Sequence, residues 1–275
     1  MPAITTPFTD PQAIAALYAG TARLHRRTAA LHRAKVIGAD ATATIAALAA
    51  AAQAHPARII DVGCGRGSLA LRLAQQYPET GLTCVDQSVA LLHVVRDRLS
   101  RFGHSAEFIA ADFHRLPVPT HHADLATAAF CLYHSHHPAT ALAEIARCVR
   151  PGGHLIITTK STDSYAAIHT LIAQAGIDRD ATQRPSPYQS FHSDNADAVV
   201  KAAGLVTVKR LDQDHTFRFL NLDHLAEYVA TCPQYQLPPA LARDPQRLSA
   251  VLTERVPDTP VTTMSTVTYL LVQRP

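Results

Sequence analysis

The chain of 275 residues contains no tryptophan, and that absence excludes no function by itself. What its five cysteines fail to do is more informative. Cys64, Cys84, Cys131, Cys148 and Cys232 stand at no metal-ligand or redox spacing, and their number is odd. This argues against a disulfide framework and a cysteine-based zinc site, and reduced thiols are expected. No apolar run approaches the roughly 20 residues that a membrane-spanning helix needs. The opening "MPAITTPFTDPQ" lacks the basic-then-apolar layout of a secretory leader. A cytoplasmic protein with no membrane partner is the expectation. The formal charge of +3 is scattered rather than gathered into a basic stripe, which disfavours a nucleic-acid partner. There is no internal repeat, and no long low-complexity tract beyond one alanine-rich helical stretch.

What is present supports a substantial core: 47% of the residues are hydrophobic and 17% charged. The length suits one large domain with a modest appendage. In "AIAALYAGTARLHRRTAALHRAK", Ile14, Leu17, Tyr18, Thr21, Leu24 and Leu31 recur at helical spacing. Asp40 is placed to cap the alanine-rich helix that follows. Strand and helix patterns then alternate. Strands are expected at "RIIDVG", "GLTCVD", "AEFIAAD", "ADLATAAF" and "HLIITTK", with helical stretches between them and a shorter segment around "FHRLP". Such alternation predicts a parallel sheet covered on both faces. The last third mixes two long β patterns, "LVTVKRLDQDHTFRF" and "VTTMSTVTYLLVQR", with helical runs between them.

The chemistry concentrates in "RIIDVGCGRGSLALRLAQQ", where Gly63, Gly65 and Gly67 follow a strand and precede a helix. Glycine lets the backbone approach a ligand closely, and a helix N-terminus offers free N–H groups. Asp86 ends the next strand, where an acidic side chain can accept from both hydroxyls of a ribose. An adenosine-containing ligand is therefore expected. The dinucleotide fingerprint needs a glycine where this chain has Ser68. Asp61 would also repel a pyrophosphate, whereas it suits a ligand carrying an ammonium and a sulfonium. S-adenosylmethionine is favoured over NAD.

At these residues the chain resembles the class I S-adenosylmethionine-dependent methyltransferases, especially their small-molecule branch (UbiE-like and natural-product enzymes). The resemblance runs from about Arg58 to Lys160, through "DVGCGRGS", "CVDQS", "AADFHRLP", "AFCLYHSHHP" and "RCVRPGGHLIITT" in the family's order. It implies an α/β, Rossmann-like class I methyltransferase fold. Its sheet would have seven mostly parallel strands with an antiparallel last strand, and helices on both faces. An N-terminal helical lid or cap is expected over 1–56, with the methyltransferase domain over 57–275. A helical insertion at about 220–259, with 161–192, would complete the lid.

Carried onto this chain, the resemblance places Gly63, Gly65 and Gly67 beneath the methionine and ribose portions of S-adenosylmethionine, with the Cys64 backbone beside them. Asp61 would help bind the methionine ammonium. Asp86 would hold the ribose, flanked by Gln87 and Ser88. Ala111, Asp112 and Phe113 would border the adenine, with Asp112 accepting from its amine. Phe130 would lie near the methionine chain. S-adenosylhomocysteine is the implied product. The chain departs from the family's L-H-H-x-x-D-P segment, having Tyr133 for the first histidine and His137 for the acidic residue.

His134 and His192 are the candidate catalytic bases, and His134 could equally be a packing residue under the cofactor. Tyr18, Tyr133, Tyr165, Tyr188 and Phe191 are candidate substrate-binding residues, with apolar packing as the alternative. The histidines of "LYHSHHP" have no second cluster at zinc-ligand spacing, so no metal is expected. The expected activity is methyl transfer to a small molecule, with oxygen favoured as acceptor, nitrogen next and carbon open. A specialised biosynthetic pathway is the natural setting. The alternatives are a noncatalytic S-adenosylmethionine-binding regulator and an enzyme doing other chemistry on the cofactor, such as cyclisation. The oligomeric state is left open.

Overall fold

The structure is a computed structural model that describes residues 6–18 and 20–275. The first five residues of the N-terminal stretch read above for a leader, and Ala19 within the first helical pattern, lie outside the described residues. In chain order the elements are α1 (Pro11–Tyr18), α2 (Thr21–Ala34), β1 (Lys35–Ile37), α3 (Ala41–Ala52), β2 (Arg58–Val62) and α4 (Ser68–Gln76). They continue with β3 (Gly81–Asp86), α5 (Val89–Arg101), β4 (Glu107–Ala110), β5 (Ala123–Ala129), a single 3-10 turn at Leu132–His134, α6 (Pro138–Cys148) and β6 (Val149–Lys160). Last come α7 (Ala166–Gln174), α8 (Ala196–Ala202), β7 (Val206–Phe219), α9 (Leu222–Val229), α10 (Pro245–Thr253) and β8 (Val261–Gln273).

The strand order is β1-β7-β8-β6-β5-β2-β3-β4. Strands β2 to β6 pair in parallel, and β8 runs antiparallel to β6 with Lys160 opposite Val267. The fold is thus the expected α/β arrangement, with β1 as an eighth strand beyond the seven expected. Lys35, the last residue of the run read in sequence as helical, instead begins β1, where Lys35 and Ile37 pair with Phe217 and Thr216 of β7. The segment around "FHRLP" is a turn rather than a helix. Asp112 accepts from the His114 amide at 2.9 Å, the self-bonding that makes Asp a turn former.

The chain divides into two compact units. One comprises residues 39–160, 188–212 and 267–275, and holds the parallel strands with α3 to α6 and α8. Residues 39–56, grouped with the N-terminal helices in the expectation above, belong to this unit. Neighbouring strand residues serve opposite faces, as the two-residue strand period requires. Ile60, Ala126 and Ile157 pack with Leu142 and Ile145 of α6. Ile59, Leu125 and Ile156 pack with Ile45, Leu73 and Leu92 of α3, α4 and α5. The other unit, among the described residues, comprises 6–18, 20–38, 161–187 and 213–266, and has its own core around Phe219, Leu222, Leu225 and Leu248. No helix among the described residues is long and apolar enough to cross a membrane.

Candidate functional site

The site is built at the C-terminal ends of β2, β3 and β5, where open parallel sheets offer their ligand crevice. Gly63, Gly65 and Gly67 all have left-handed backbone, at φ 67°, 55° and 72°. Two of the three are glycine for packing as well. A Cβ on Gly63 would sit 2.6 Å from Cys131 Cβ, and one on Gly67 would sit 2.7 Å from Val95 Cγ1. Gly65 differs, because the nearest atom to its would-be Cβ is the Gly63 carbonyl oxygen at 3.9 Å. Its face is open, as a cradle for a ligand must be. Gly67 also begins α4 with no side-chain cap, which leaves that helix's first amides for an incoming acceptor.

Two buried carboxylates flank the turn. Asp61, only 1% exposed, accepts from the Thr127 hydroxyl at 2.7 Å through Oδ1, and its Oδ2 has no partner. Burial, reinforced by the nearby charge of Asp86, pushes its pKa up to about 7, against the opposing pull of the Thr127 bond. Asp86 accepts from the Gly65 amide through Oδ2 and the Ser88 amide through Oδ1, each at 2.9 Å. Burial raises its pKa also, and the two amide bonds work the other way. Ser88 uses its own hydroxyl to cap α5, accepting from the Leu91 amide, while Gln87 is exposed. The Cys64 amide donates to the Val85 carbonyl, which places the Cys64 backbone in the turn.

Asp112 and its neighbours form the next loop. The Ala111 amide donates to the Asp86 carbonyl at 3.2 Å, and Phe113 packs partly into the core beside His114. Phe130 directly follows β5 with φ 56°, a conformation rare for a bulky side chain. Beyond it Tyr133 meets Tyr188 edge-on, with ring centroids 4.9 Å apart, and also packs against His134 at 4.6 Å. The Ser190 hydroxyl donates to the Tyr133 carbonyl, which stitches the 188–195 segment to this turn. Within that segment His192 accepts from the Asp194 amide through Nδ1, and burial holds its pKa below the usual histidine value.

Tyr133, His134 and Tyr188 are therefore brought together near Phe130. Two other candidates are corrected by their burial. Phe191 is fully buried in the sheet unit's core, and Tyr165 is 3% exposed between Phe217 and Tyr228 in the core of the other unit. Aromatics with no open face pack rather than receive a substrate. Tyr18 ends α1, half-buried. Lys160 was not foreseen. Its ammonium lies 5.5 Å from the Phe130 ring centroid and 5.7 Å from that of Tyr188. The rule that pointed to Phe130, read in sequence as the end of its strand, applies equally to Lys160, the last residue of β6. Among the described residues no group of three or more His, Cys, Asp or Glu side chains could hold a metal ion.

Residues 59–153 match the family model described as a methyltransferase domain. Over these residues the chain is similar to a methyltransferase domain. Over 103 residues it is 39% identical to the ubiquinone/menaquinone biosynthesis C-methyltransferase UbiE of Cupriavidus necator, covering 36% of this chain and 42% of that protein. Over 120 residues it is 28% identical to the malonyl-[acyl-carrier protein] O-methyltransferase of Paenibacillus sp. (strain JDR-2), covering 42% and 44%. The match thus spans less than half the length of these two curated relatives. A solved structure from Bacillus halodurans, described as a candidate methyltransferase, superposes with TM-score 0.60 at 15% identity, covering 85% of this chain and 99% of that one. The [4+2]-cyclase SpnF superposes with TM-score 0.53 at 20% identity, covering 84% and 80%. At these identities both structures share this chain's fold.

The cofactor of this domain family is S-adenosylmethionine, and the residues present fit it. An unpartnered carboxylate oxygen inside a protein costs several kcal/mol unless a cation or a proton meets it. Asp61 Oδ2 is such an atom, and an ammonium would satisfy it. A dinucleotide's pyrophosphate would instead meet two buried acids, Asp61 and Asp86.

Proposed function

We propose that the protein is a methyltransferase that binds S-adenosylmethionine at this site and methylates a small-molecule acceptor, with oxygen favoured over nitrogen and a biosynthetic pathway as its setting. Its partner is then a small molecule rather than a membrane or a nucleic acid. One observation carries this reading: a turn of three left-handed glycines between two buried carboxylates, one of which keeps an oxygen without a partner. The two relatives support methyl transfer and, as named, differ in acceptor atom, one acting on carbon and one on oxygen.

S-adenosylmethionine, when bound, supplies an electrophilic methyl group. Asp61 Oδ2 would accept from its ammonium. The carboxylate of Asp86 can keep both amide bonds and still accept ribose hydroxyls, since each oxygen offers two acceptor positions. Asp112 would accept from the adenine amine, and the Phe130 ring would cover the methionine chain. His134, on the turn after β5, is the candidate to take the proton of an acceptor hydroxyl. Because the methyl is already activated, positioning and exclusion of water carry most of the catalytic work.

The test is calorimetric titration with S-adenosylhomocysteine, followed by transfer from labelled cofactor to a metabolite panel. Binding together with label transfer supports the proposal, and failure to bind sinks it. Binding without transfer to any acceptor favours a regulator. Turnover of cofactor with no acceptor present, read by mass spectrometry, would replace methyl transfer with another chemistry on the same fold.

A further inference from the structure

Asp112 sits on a loop with 66% of its side chain exposed. Such a carboxylate ordinarily samples several rotamers, and a ligand that uses it must first overcome that freedom. Here it is held. The His114 amide donates to Asp112 Oδ1 at 2.9 Å, and the ring nitrogen Nδ1 of His114 lies 2.7 Å from the same oxygen. Both contacts fall on Oδ1, so Oδ2 keeps its lone pairs for a donor from outside.

The imidazole is anchored on its far side too. His114 Nε2 lies 2.8 Å from the hydroxyl oxygen of Ser135, which is 21 residues further along the chain and 1% exposed. That oxygen also accepts from the His137 amide at 2.8 Å, and the Ser135 amide donates to the Leu132 carbonyl at 3.0 Å. The positions of the hydrogens follow from what each group can do. A carboxylate only accepts, so Nδ1 carries the ring proton; in the neutral ring Nε2 then accepts, and the Ser135 hydroxyl donates to it. Every donor in the chain from His137 through Ser135 and His114 to Asp112 is used once. The order Asp–His–Ser is that of an acyl-transfer relay, but a nucleophile must reach its substrate. Ser135 is sealed in the fold, so here the relay positions rather than attacks.

We infer that His114, anchored by Ser135, is a positioning residue that fixes Asp112 to recognise the exocyclic amine of adenine. The inference rests on the adenosyl-cofactor reading above. It makes adenine selectivity a property of the loop after β4 and the turn after β5 together, the turn that also carries Tyr133 and His134.

The experiment titrates S-adenosylhomocysteine and its inosine counterpart, which has a carbonyl in place of the amine, into wild-type protein, His114→Ala and Ser135→Ala. The wild type prefers the adenosine ligand, and that preference falls about three- to tenfold in each variant. The double variant loses little more than either single one, because the two residues act as one unit. A ratio of two affinities measured on one preparation does not depend on how much of it is folded, so a merely structural role would leave the ratio unmoved. An unchanged ratio in either variant overturns the positioning role. Wild-type protein that binds neither ligand overturns the cofactor reading and this inference with it.

Discussion

The carboxylate of Asp86 and the amide of Gly65 are joined by a 2.9 Å hydrogen bond that ties the end of β3 to the middle of the glycine turn. The acidic residue and the turn are thus one device, assembled before a ligand arrives. Asp86 shapes the backbone that its ligand lies on. Removing it therefore has two consequences, one for binding and one for the fold.

Asp86→Ala should weaken S-adenosylhomocysteine binding by one or two charge-assisted bonds, roughly 1.5–3 kcal/mol each. It should also lower the melting temperature, since the Gly65 and Ser88 amides lose their acceptor. Calorimetry and thermal denaturation read the two effects separately. Affinity equal to wild type would contradict the ribose role.

The three glycines should not respond alike. Gly65→Ala places a left-handed alanine in open space, costing about 1–2 kcal/mol of stability while its methyl group intrudes where the ligand lies. Gly63→Ala and Gly67→Ala add clashes with Cys131 and Val95, so about 1–3 kcal/mol more is lost to overpacking. The expected result is a folded Gly65→Ala protein that binds poorly, beside two variants with clearly lower unfolding midpoints. Normal binding by Gly65→Ala would remove the cradle from the site.

Asp61 gives a pH dependence with a definite sign. Its pKa is raised to about 7 in the folded chain, and a cationic ligand group needs its charged form. Affinity for S-adenosylhomocysteine should fall about tenfold for each pH unit below 7 and level off above it. Because this carboxyl holds its proton more tightly folded than unfolded, its contribution to ligand-free stability declines as pH rises from about 4 to 7. Asp61→Asn should flatten both curves and stabilise the ligand-free protein at pH 8. Titration calorimetry from pH 5.5 to 8.5 and urea unfolding at each end provide the measurements. An affinity indifferent to both pH and Asp61→Asn would rule out the ammonium contact.

Tyr165 and Phe191 should behave as core residues. Phe191→Ala and Tyr165→Ala are each expected to cost about 3–5 kcal/mol of stability, as befits side chains 0% and 3% exposed. The milder Tyr165→Phe and Phe191→Leu should fold and bind S-adenosylhomocysteine as the wild type does. A selective loss of methyl-acceptor turnover in Tyr165→Phe, with stability unchanged, would return that residue to the substrate site.

Local features were legible in the chain because their causes are local. A left-handed backbone favours glycine, so the spacing of Gly63, Gly65 and Gly67 already described the turn. Ser68 in place of a later glycine, with Asp61 before the turn, already separated the cofactor classes. The parallel strands were legible because each carries its own apolar run, and β1 was not, because three residues become a strand only through a partner on β7.

The aromatics show the opposite case. Tyr133, Tyr165, Tyr188 and Phe191 carry the same apolar rings, and no pattern around them says which face a cleft and which fill a core. Sequence alone determined the fold class, the cofactor-type turn and the acids beside it, through backbone preference and strand ends. Only the tertiary structure decided that Tyr165 and Phe191 are core, that Lys160 lies over two rings, and that Ser135 anchors the histidine holding Asp112. Those outcomes depend on contacts between distant segments, and packing sets them only when the whole chain has folded.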